Sequence, residues 1–219
     1  MPLPNGVDPL GEIGHSCPSA ALMGNRGILH NQPKGPAVKP WAHKAWVACR
    51  LAFGNFQRGE RIDGKLILMA KTDEYSELFF LDEATAFSAG HRPCGTCRKH
   101  DYKQFKRYWC EAKLSNTVEF SPKAVDAMLH EERWSSQRRS KKTDFSKLGE
   151  LPSGAMFLLE SSPMLAWKGR FWHWSDTGYI EATRKPSPLS KVEVLTSSSL
   201  LAVLRVGYPL QVHPSASFS

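Results

Sequence analysis

Hydrophobic and polar residues follow strand-like patterns in two regions of the chain. WVACRLAF (residues 46–53) alternates with a period of two, and KLILMA (65–70) and ELFFL (77–81) are short apolar runs. GNFQRGERIDG (54–64) contains turn residues, so we expect a hairpin to join the first two of these strands. After residue 151, the segments AMFLLE, MLAWK, RFWHW and KVEVL predict four further short strands.

Helical patterns lie between these two regions. Asp82 is a plausible N-cap for a short helix, EATAFSA (83–89), that ends at Gly90. HDYKQFKRYWCEAK (100–113) predicts a second helix, because its aromatic residues fall on one face and its basic residues on the others.

Two more helices follow. In SPKAVDAMLHEERW (121–134), Ser121 is the expected N-cap, Pro122 occupies the first helical position, and the apolar face consists of Val125, Met128 and Leu129. SSSLLAVLRVG (197–207) predicts a fourth helix that ends at Gly207.

The net charge of the chain bears on its binding partner rather than on its fold. The 219 residues carry a formal net charge of +8, which is consistent with a polyanionic partner such as nucleic acid and equally with a basic surface that binds nothing. The N-terminus lacks the basic and apolar regions of a signal peptide, and no apolar run approaches the ~20 residues that cross a bilayer. We therefore expect a cytoplasmic protein without a membrane partner, whose five cysteines are reduced.

Cys94 and Cys97 form a CxxC pair directly after the predicted helix that ends at Gly90. Two thiolates at this spacing bind one tetrahedral zinc ion, and a single pair is half of a structural site. A redox motif is less consistent, because it would follow a strand and open a helix. Unengaged thiols are the remaining alternative.

Residues around this pair resemble a known family. Phe79-Phe80, Ala84, Ala89-Gly90, Arg92-Pro93-Cys94, Cys97 and Arg98 resemble the second half of the Ada-type zinc domain of bacterial methylphosphotriester DNA-repair proteins. The resemblance implies four cysteine ligands, of which one early thiolate accepts a methyl group from a DNA phosphotriester. Cys49, followed by Arg50, fits one early position. Phe53 stands where that family has its other early cysteine, so one ligand is missing.

The fourth ligand has four candidates, Cys17, His30, His43 and His91. We favour a structural Zn²⁺ held by Cys49, Cys94, Cys97 and His30, because GILH (27–30) is a candidate strand next to Cys49. The predicted fold is therefore α+β: a small antiparallel sheet with a zinc-stapled helical segment, followed by a smaller β-rich part. We expect an Ada-like zinc domain over residues 1–115, a helix and basic loop over 116–150, and a β-rich part over 151–219, or one continuous domain.

Cations and aromatic rings cluster near this site and recur further along the chain. Cations neutralise phosphates and rings stack on exposed bases, which is the combination expected for DNA, with RNA an open alternative. A solvated helix face and a plain basic loop are the alternatives for the cations, and a core stripe is the alternative for the two tryptophans. The predicted contacts are Arg26, Arg92, Arg98, Lys99, Lys103, Lys106, Arg107, Arg138, Arg139, Lys141, Lys142, Trp172 and Trp174.

Several polar side chains could be catalytic, but none belongs to a strong sequence motif. Glu77 and Asp82 flank the Phe-Phe strand, where a carboxylate would activate water or stabilise a sugar cation, although helix capping is the alternative for Asp82. Asn25 lies in a predicted tight turn. Base excision from modified DNA is the leading prediction, and alkyl transfer to Cys49 and a non-enzymatic zinc module that binds nucleic acid are the alternatives.

Overall fold

The computed structural model describes residues 5–31, 37–53, 56–57, 60–62, 65–67, 75–116, 118–137 and 140–217. Within these residues the helices are α1 (Glu83–Ser88), α2 (Lys99–Glu111), α3 (Pro122–Arg133) and α4 (Ser198–Arg205). The strands are β1 (Gly6–Val7), β2 (Ile13–His15), β3 (Leu22–Asn25), β4 (Val47–Arg50), β5 (Ala52–Phe53), β6 (Phe56–Gln57), β7 (Glu60–Ile62), β8 (Lys65–Ile67), β9 (Leu78–Phe80), β10 (Arg92–Pro93), β11 (Trp134–Ser135), β12 (Ser140–Lys141), β13 (Asp144–Lys147), β14 (Met156–Leu159), β15 (Ser162–Trp167), β16 (Arg170–Ser175), β17 (Gly178–Glu181) and β18 (Lys191–Val194). None of the described helices combines the length and apolar character needed to cross a membrane.

Helices α1 and α3 begin at their predicted N-caps. The Asp82 carboxylate accepts the Thr85 N–H at 2.8 Å at the start of α1, and the Ser121 hydroxyl accepts the Ala124 N–H at 3.5 Å at the start of α3. On α3, Val125 and Leu129 are buried as expected. Met128 is 38% exposed and does not belong to the buried face.

The first sheet is mixed, so the prediction of an antiparallel sheet is wrong. Its strand order is β10-β4-β3-β9-β1-β2. The pairs β10–β4 and β1–β9 are parallel, and the remaining pairs are antiparallel. Both parallel pairs join segments far apart in sequence, and parallel pairing requires such long connections.

The predicted hairpin between residues 46–53 and 65–70 is also not observed. β8 pairs with β7, whereas β4 pairs with β3 and places Met23 opposite Cys49. The strand beside Cys49 is therefore Leu22–Asn25 and not residues 27–30. Residues 54–55, 58–59, 63–64 and 68–70 of the predicted hairpin lie outside the described residues.

The second sheet is antiparallel, in the order β13-β18-β14-β15-β16-β17. It contains the four predicted C-terminal strands, together with β13 and β17, which were not predicted. One hydrophobic cluster joins the two halves of the chain, with Phe79 and Phe87 packed in the same core as Trp172 and Leu200. Residues of both halves therefore share one core, and the division of the chain near residues 115 and 150 stays a prediction.

Candidate metal centre and basic surface

Three cysteines that are distant in sequence come together at one edge of the mixed sheet. Cys49 lies on β4, and the parallel strand β10 places Pro93 opposite Ala48. The Cys94 N–H donates to the Ala48 carbonyl at 2.9 Å, which fixes Cys94 beside Cys49. Cys97 follows in the turn before α2. The three Sγ atoms all lie within 4.8 Å of one another, close enough to share one metal ion.

The surroundings of these thiols favour negative charge on Cys94 and disfavour it on Cys49 and Cys97. The N–H groups of Arg50 and Thr96 donate to the sulfurs of Cys97 and Cys94, each at 3.4 Å. Hydrogen bonds from the Cys49 and Cys97 thiols lower the pKa of Cys94, whereas hydrogen bonding to its two neighbours raises the pKa of Cys49. Three thiols crowded in this way cannot all ionise without a cation between them. Thiolate sulfur is a preferred ligand of Zn²⁺, so the donor set fits the predicted zinc.

His30 does not join the thiol cluster, because the neighbouring strand is formed by Leu22–Asn25 and His30 lies beyond its end. The Nδ1 atom of His30 lies 2.6 Å from the Ser76 hydroxyl. Cys17 is buried elsewhere, and burial raises its pKa to about 12, so it is a neutral thiol. Within the described part of the chain, Cys49, Cys94 and Cys97 are the only ligands brought together at this site.

The other two ligand candidates have different surroundings. His91 is fully buried between the rings of Trp46 and Phe80, and its Nε2 accepts the Nε–H of Arg26 at 3.3 Å. Burial and two nearby guanidinium groups lower its pKa well below the ordinary value, so the ring is neutral. His43 is exposed beside Gly27.

The predicted catalytic residues do not converge on a reaction centre. Both Asp82 and Glu77 are buried, at 2% and 1% exposure. Asp82 accepts four hydrogen bonds, two from Thr85 and one each from the Tyr179 hydroxyl and the His213 N–H, so its cap role is the one observed. Asn25 accepts the Gly27 N–H at 2.7 Å and closes a local turn.

Two of the predicted phosphate contacts are engaged in buried ion pairs. Arg92 binds both carboxylate oxygens of Asp126, at 2.7 and 2.8 Å. Arg98 is 1% exposed and donates to Glu83 at 2.7 Å and to Asp101 at 2.8 Å. These arginines hold α2 and α3 against the rest of the fold and are not available to a nucleic acid.

Four further residues predicted to contact nucleic acid are buried or hydrogen-bonded within the fold. Arg26 is 1% exposed and Trp172 is 3% exposed. Trp174 is half-buried and donates its indole N–H to the Thr85 hydroxyl at 3.1 Å. Lys141 donates to the carbonyls of Pro9 and Ser88. The two tryptophans therefore contribute to the core, as the core-stripe alternative states.

Three of the remaining basic residues form an accessible face on α2. Lys99, Lys103 and Arg107 are exposed and recur every four residues, so they follow one side of the helix. Lys106 is half-buried, with its ammonium 5.1 Å from the centre of the Phe120 ring. Lys142 is exposed and donates to the Glu131 carbonyl at the end of α3. Arg138 and Arg139 lie outside the described residues.

No family model, curated protein or solved structure matches this chain. The resemblance to the Ada-type domain therefore stays a prediction carried by residues 79–98 and Cys49. Function has to be inferred from the thiol cluster and the charged surfaces.

The sequence-based prediction missed a group of residues around Trp46. The guanidinium carbons of Arg26 and Arg133 lie 4.1 and 3.9 Å from the centre of the Trp46 ring. Sequence spacing contained a signal for Arg133, since residues 125, 129 and 133 recur every four positions on the buried face of α3. An arginine at such a position indicates a buried cation rather than a solvated one.

Proposed function

We propose that this protein is a zinc-holding nucleic-acid-binding protein, in which Cys49, Cys94 and Cys97 hold the ion and the exposed face of α2 binds the phosphate backbone. The observation that carries the proposal is the position of α2. It begins two residues after Cys97, so an ion held by the three thiols would fix the start of the helix that carries Lys99, Lys103 and Arg107.

Zinc bound at these thiols would supply cross-linking of β4, β10 and the turn before α2. The orientation of the helix depends on contacts between protein residues. Arg98 pairs with Glu83 and Asp101 beneath the helix, which orients α2 with its lysines outward. Since each exposed cation that contacts a phosphate releases a counterion, affinity for DNA would depend steeply on salt.

Base excision and alkyl transfer receive less support from the geometry. The carboxylates predicted for base excision are buried, and Asp82 already accepts four hydrogen bonds. Cys49 is 8% exposed, whereas Cys94 and Cys97 are half-exposed, so a DNA phosphotriester would reach the other two sulfurs first. A methyl group found on Cys49 after exposure to methylated DNA, or alkali-sensitive sites made in modified DNA, would move the support to those reactions.

The experiment measures binding to a labelled DNA duplex, and to RNA of the same sequence, at increasing salt concentrations. Fluorescence anisotropy is the readout. In the triple variant Lys99→Gln, Lys103→Gln, Arg107→Gln, the slope of log affinity against log salt should fall by about 2 to 3, since each lost phosphate contact removes about 0.9. The matched control is Lys147→Gln, Lys168→Gln, Lys185→Gln, which removes the same charge from exposed positions in the C-terminal half. A flat salt response, or an equal loss in both triples, contradicts the proposal.

A further inference from the structure

A cavity of about 660 Å³ lies away from the thiol cluster and is lined by an unusual set of charges. Four cationic side chains border it, namely Arg26, Lys39, Arg133 and Lys141, together with two acidic ones, Glu12 and Glu193. Its volume is in the range of pockets that bind small molecules. The cations therefore outnumber the carboxylates in a space large enough for a ligand.

Two of these cations are buried without an ion pair among the described residues. Arg26 is 1% exposed and donates to a neutral ring, His91, and to the Gly11 and Pro40 carbonyls. Arg133 is 3% exposed and donates to the carbonyls of Gly90 and Lys44, each at 2.6 Å. Both guanidinium groups also retain a buried nitrogen, Nη2 of Arg26 and Nε of Arg133, that has no hydrogen-bond partner in the described structure.

The same protein neutralises its other buried guanidinium groups. Arg92 and Arg98 are also buried, and each has a carboxylate at 2.7 Å. The carboxylates of Asp8 and Asp126 act on Arg26 and Arg133 through space but form no direct ion pair with them among the described contacts. A buried charge without a direct ion pair is costly, so the contrast between the two pairs is a property of the cavity. The Trp46 ring beside Arg26 and Arg133 offsets part of that cost by cation–π attraction, but it brings no negative charge.

Lys141 adds a third cation at the wall of the cavity. Its ammonium nitrogen lies 2.5 and 2.6 Å from the carbonyl oxygens of Pro9 and Ser88, which hold it in place. Neither acidic residue of the cavity forms an ion pair with it among the described contacts, and Glu193 accepts the Thr143 hydroxyl instead. Burial lowers the pKa of Lys141 to about 7, and a bound anion would restore its charge.

We propose that this cavity binds a phosphate-bearing compound of mononucleotide size, with its phosphate neutralised by Arg26, Arg133 and Lys141. A phosphate dianion matches three fixed cations better than a carboxylate, because it carries more charge and more acceptor oxygens. The half-buried Trp134 and the apolar part of the lining are suited to a base. This site uses neither the thiols nor α2, so it goes beyond the nucleic-acid binding proposed above.

The test is calorimetric titration of the full chain at about pH 7, where phosphate monoesters are mostly dianions and a bound anion favours the charged form of Lys141. The probes are inorganic phosphate, deoxyadenosine 5′-monophosphate, a short 5′-phosphorylated oligonucleotide and unphosphorylated deoxyadenosine. The phosphorylated probes should bind, and deoxyadenosine should bind at least about tenfold more weakly than its monophosphate, since a charge-assisted hydrogen bond contributes at least that factor. The monophosphate and the oligonucleotide are compared in the α2 triple variant, which lacks the backbone contacts proposed above. There, a monophosphate that binds at least as tightly as the oligonucleotide indicates a free nucleotide as the ligand, and the reverse order indicates a nucleic-acid end.

The variants separate this site from the fold and from α2. Arg26 and Arg133 are too buried for safe substitution, so Lys141→Gln and Ser140→Glu are used, the latter adding a negative charge at an exposed position of the lining. Each should weaken binding of the monophosphate by about tenfold or more, whereas Lys142→Gln, outside the cavity, and the α2 triple variant should bind the monophosphate like the wild type. Failure of every phosphorylated probe to bind at millimolar concentration, or unchanged binding in both cavity variants, would overturn the proposal.

Discussion

Lys141 illustrates how burial changes the chemistry of a single side chain. Its neighbour Lys142 is exposed, but the Lys141 ammonium is enclosed by the N-terminal segment and the end of α1. Burial is the largest cause that lowers its pKa, from 10.5 to about 7. The Arg26 charge also lowers it, and the carboxylates of Asp8 and Glu193 oppose the shift.

This shift predicts a pH dependence of stability. Between about pH 7 and about pH 10 the unfolded chain binds a proton at Lys141 that the folded chain has released. The free energy of unfolding should therefore rise with pH in that window, by up to about 1.4 kcal/mol per pH unit. Urea denaturation from about pH 7.5 to about pH 9.5 measures this, and the slope should fall in Lys141→Gln but not in Lys142→Gln. Equal slopes in the two variants would assign the pH dependence to other groups.

At the scale of elements, α1 is the point where both halves of the chain meet. All six of its residues are buried. The Asp82 cap also accepts hydrogen bonds from Tyr179 on β17 and from the His213 backbone. Glu83 accepts from Arg98, from the Tyr208 hydroxyl and from the Gln211 N–H. A six-residue helix thus connects α2, the second sheet and the C-terminal segment.

Replacing the two N-caps should therefore have unequal effects. Asp82→Ala leaves buried donors of Thr85, Tyr179 and His213 without an acceptor, and each such group costs about 1–3 kcal/mol. We expect a loss of about 3–5 kcal/mol. Ser121→Ala removes one longer bond at a more accessible cap of α3 and should cost about 1 kcal/mol or less. Chemical denaturation compares the two, and losses of similar size would show that Asp82 acts as a cap alone.

The extent to which these elements follow from sequence depends on the range of the interactions. Asp82, Ser121 and Gly90 set helix ends through contacts a few residues away, so their roles were predictable. The pairing of β4 with β3 and β10 depends on contacts over long sequence distances, and an error of a few residues in the position of β3 placed His30 at the metal. CxxC spacing was sufficient for Cys94 and Cys97, whereas Cys49 was identified through the resemblance to the Ada-type domain. The prediction that Arg26, Arg92 and Arg98 contact nucleic acid rested on their charge alone. It failed because composition does not show which cations are buried.

At the scale of the whole molecule, the thiol cluster and the hydrophobic core belong to one structure. The cluster that contains Cys49 also contains Trp109 of α2, Leu165 of β15 and Val203 of α4, and Cys94 and Cys97 pack against it. Loss of a metal ion at this edge should therefore destabilise the whole core rather than the N-terminal half alone. The expected behaviour is a single unfolding transition in both states.

Metal removal tests this coupling directly. A metal ion that binds only the folded state stabilises it by mass action. In a chain of this size, a loss of about 3 kcal/mol in the free energy of unfolding lowers the midpoint temperature by roughly 5–10 °C. Calorimetry before and after chelation should show one transition that moves down by about that amount, with zinc released. Cys97→Ser should reproduce the shift and bind less zinc. Cys110→Ser, at a thiol outside the cluster, should do neither. Two separate transitions would favour independent domains, and an unchanged midpoint with full zinc content in Cys97→Ser would exclude the three-cysteine site.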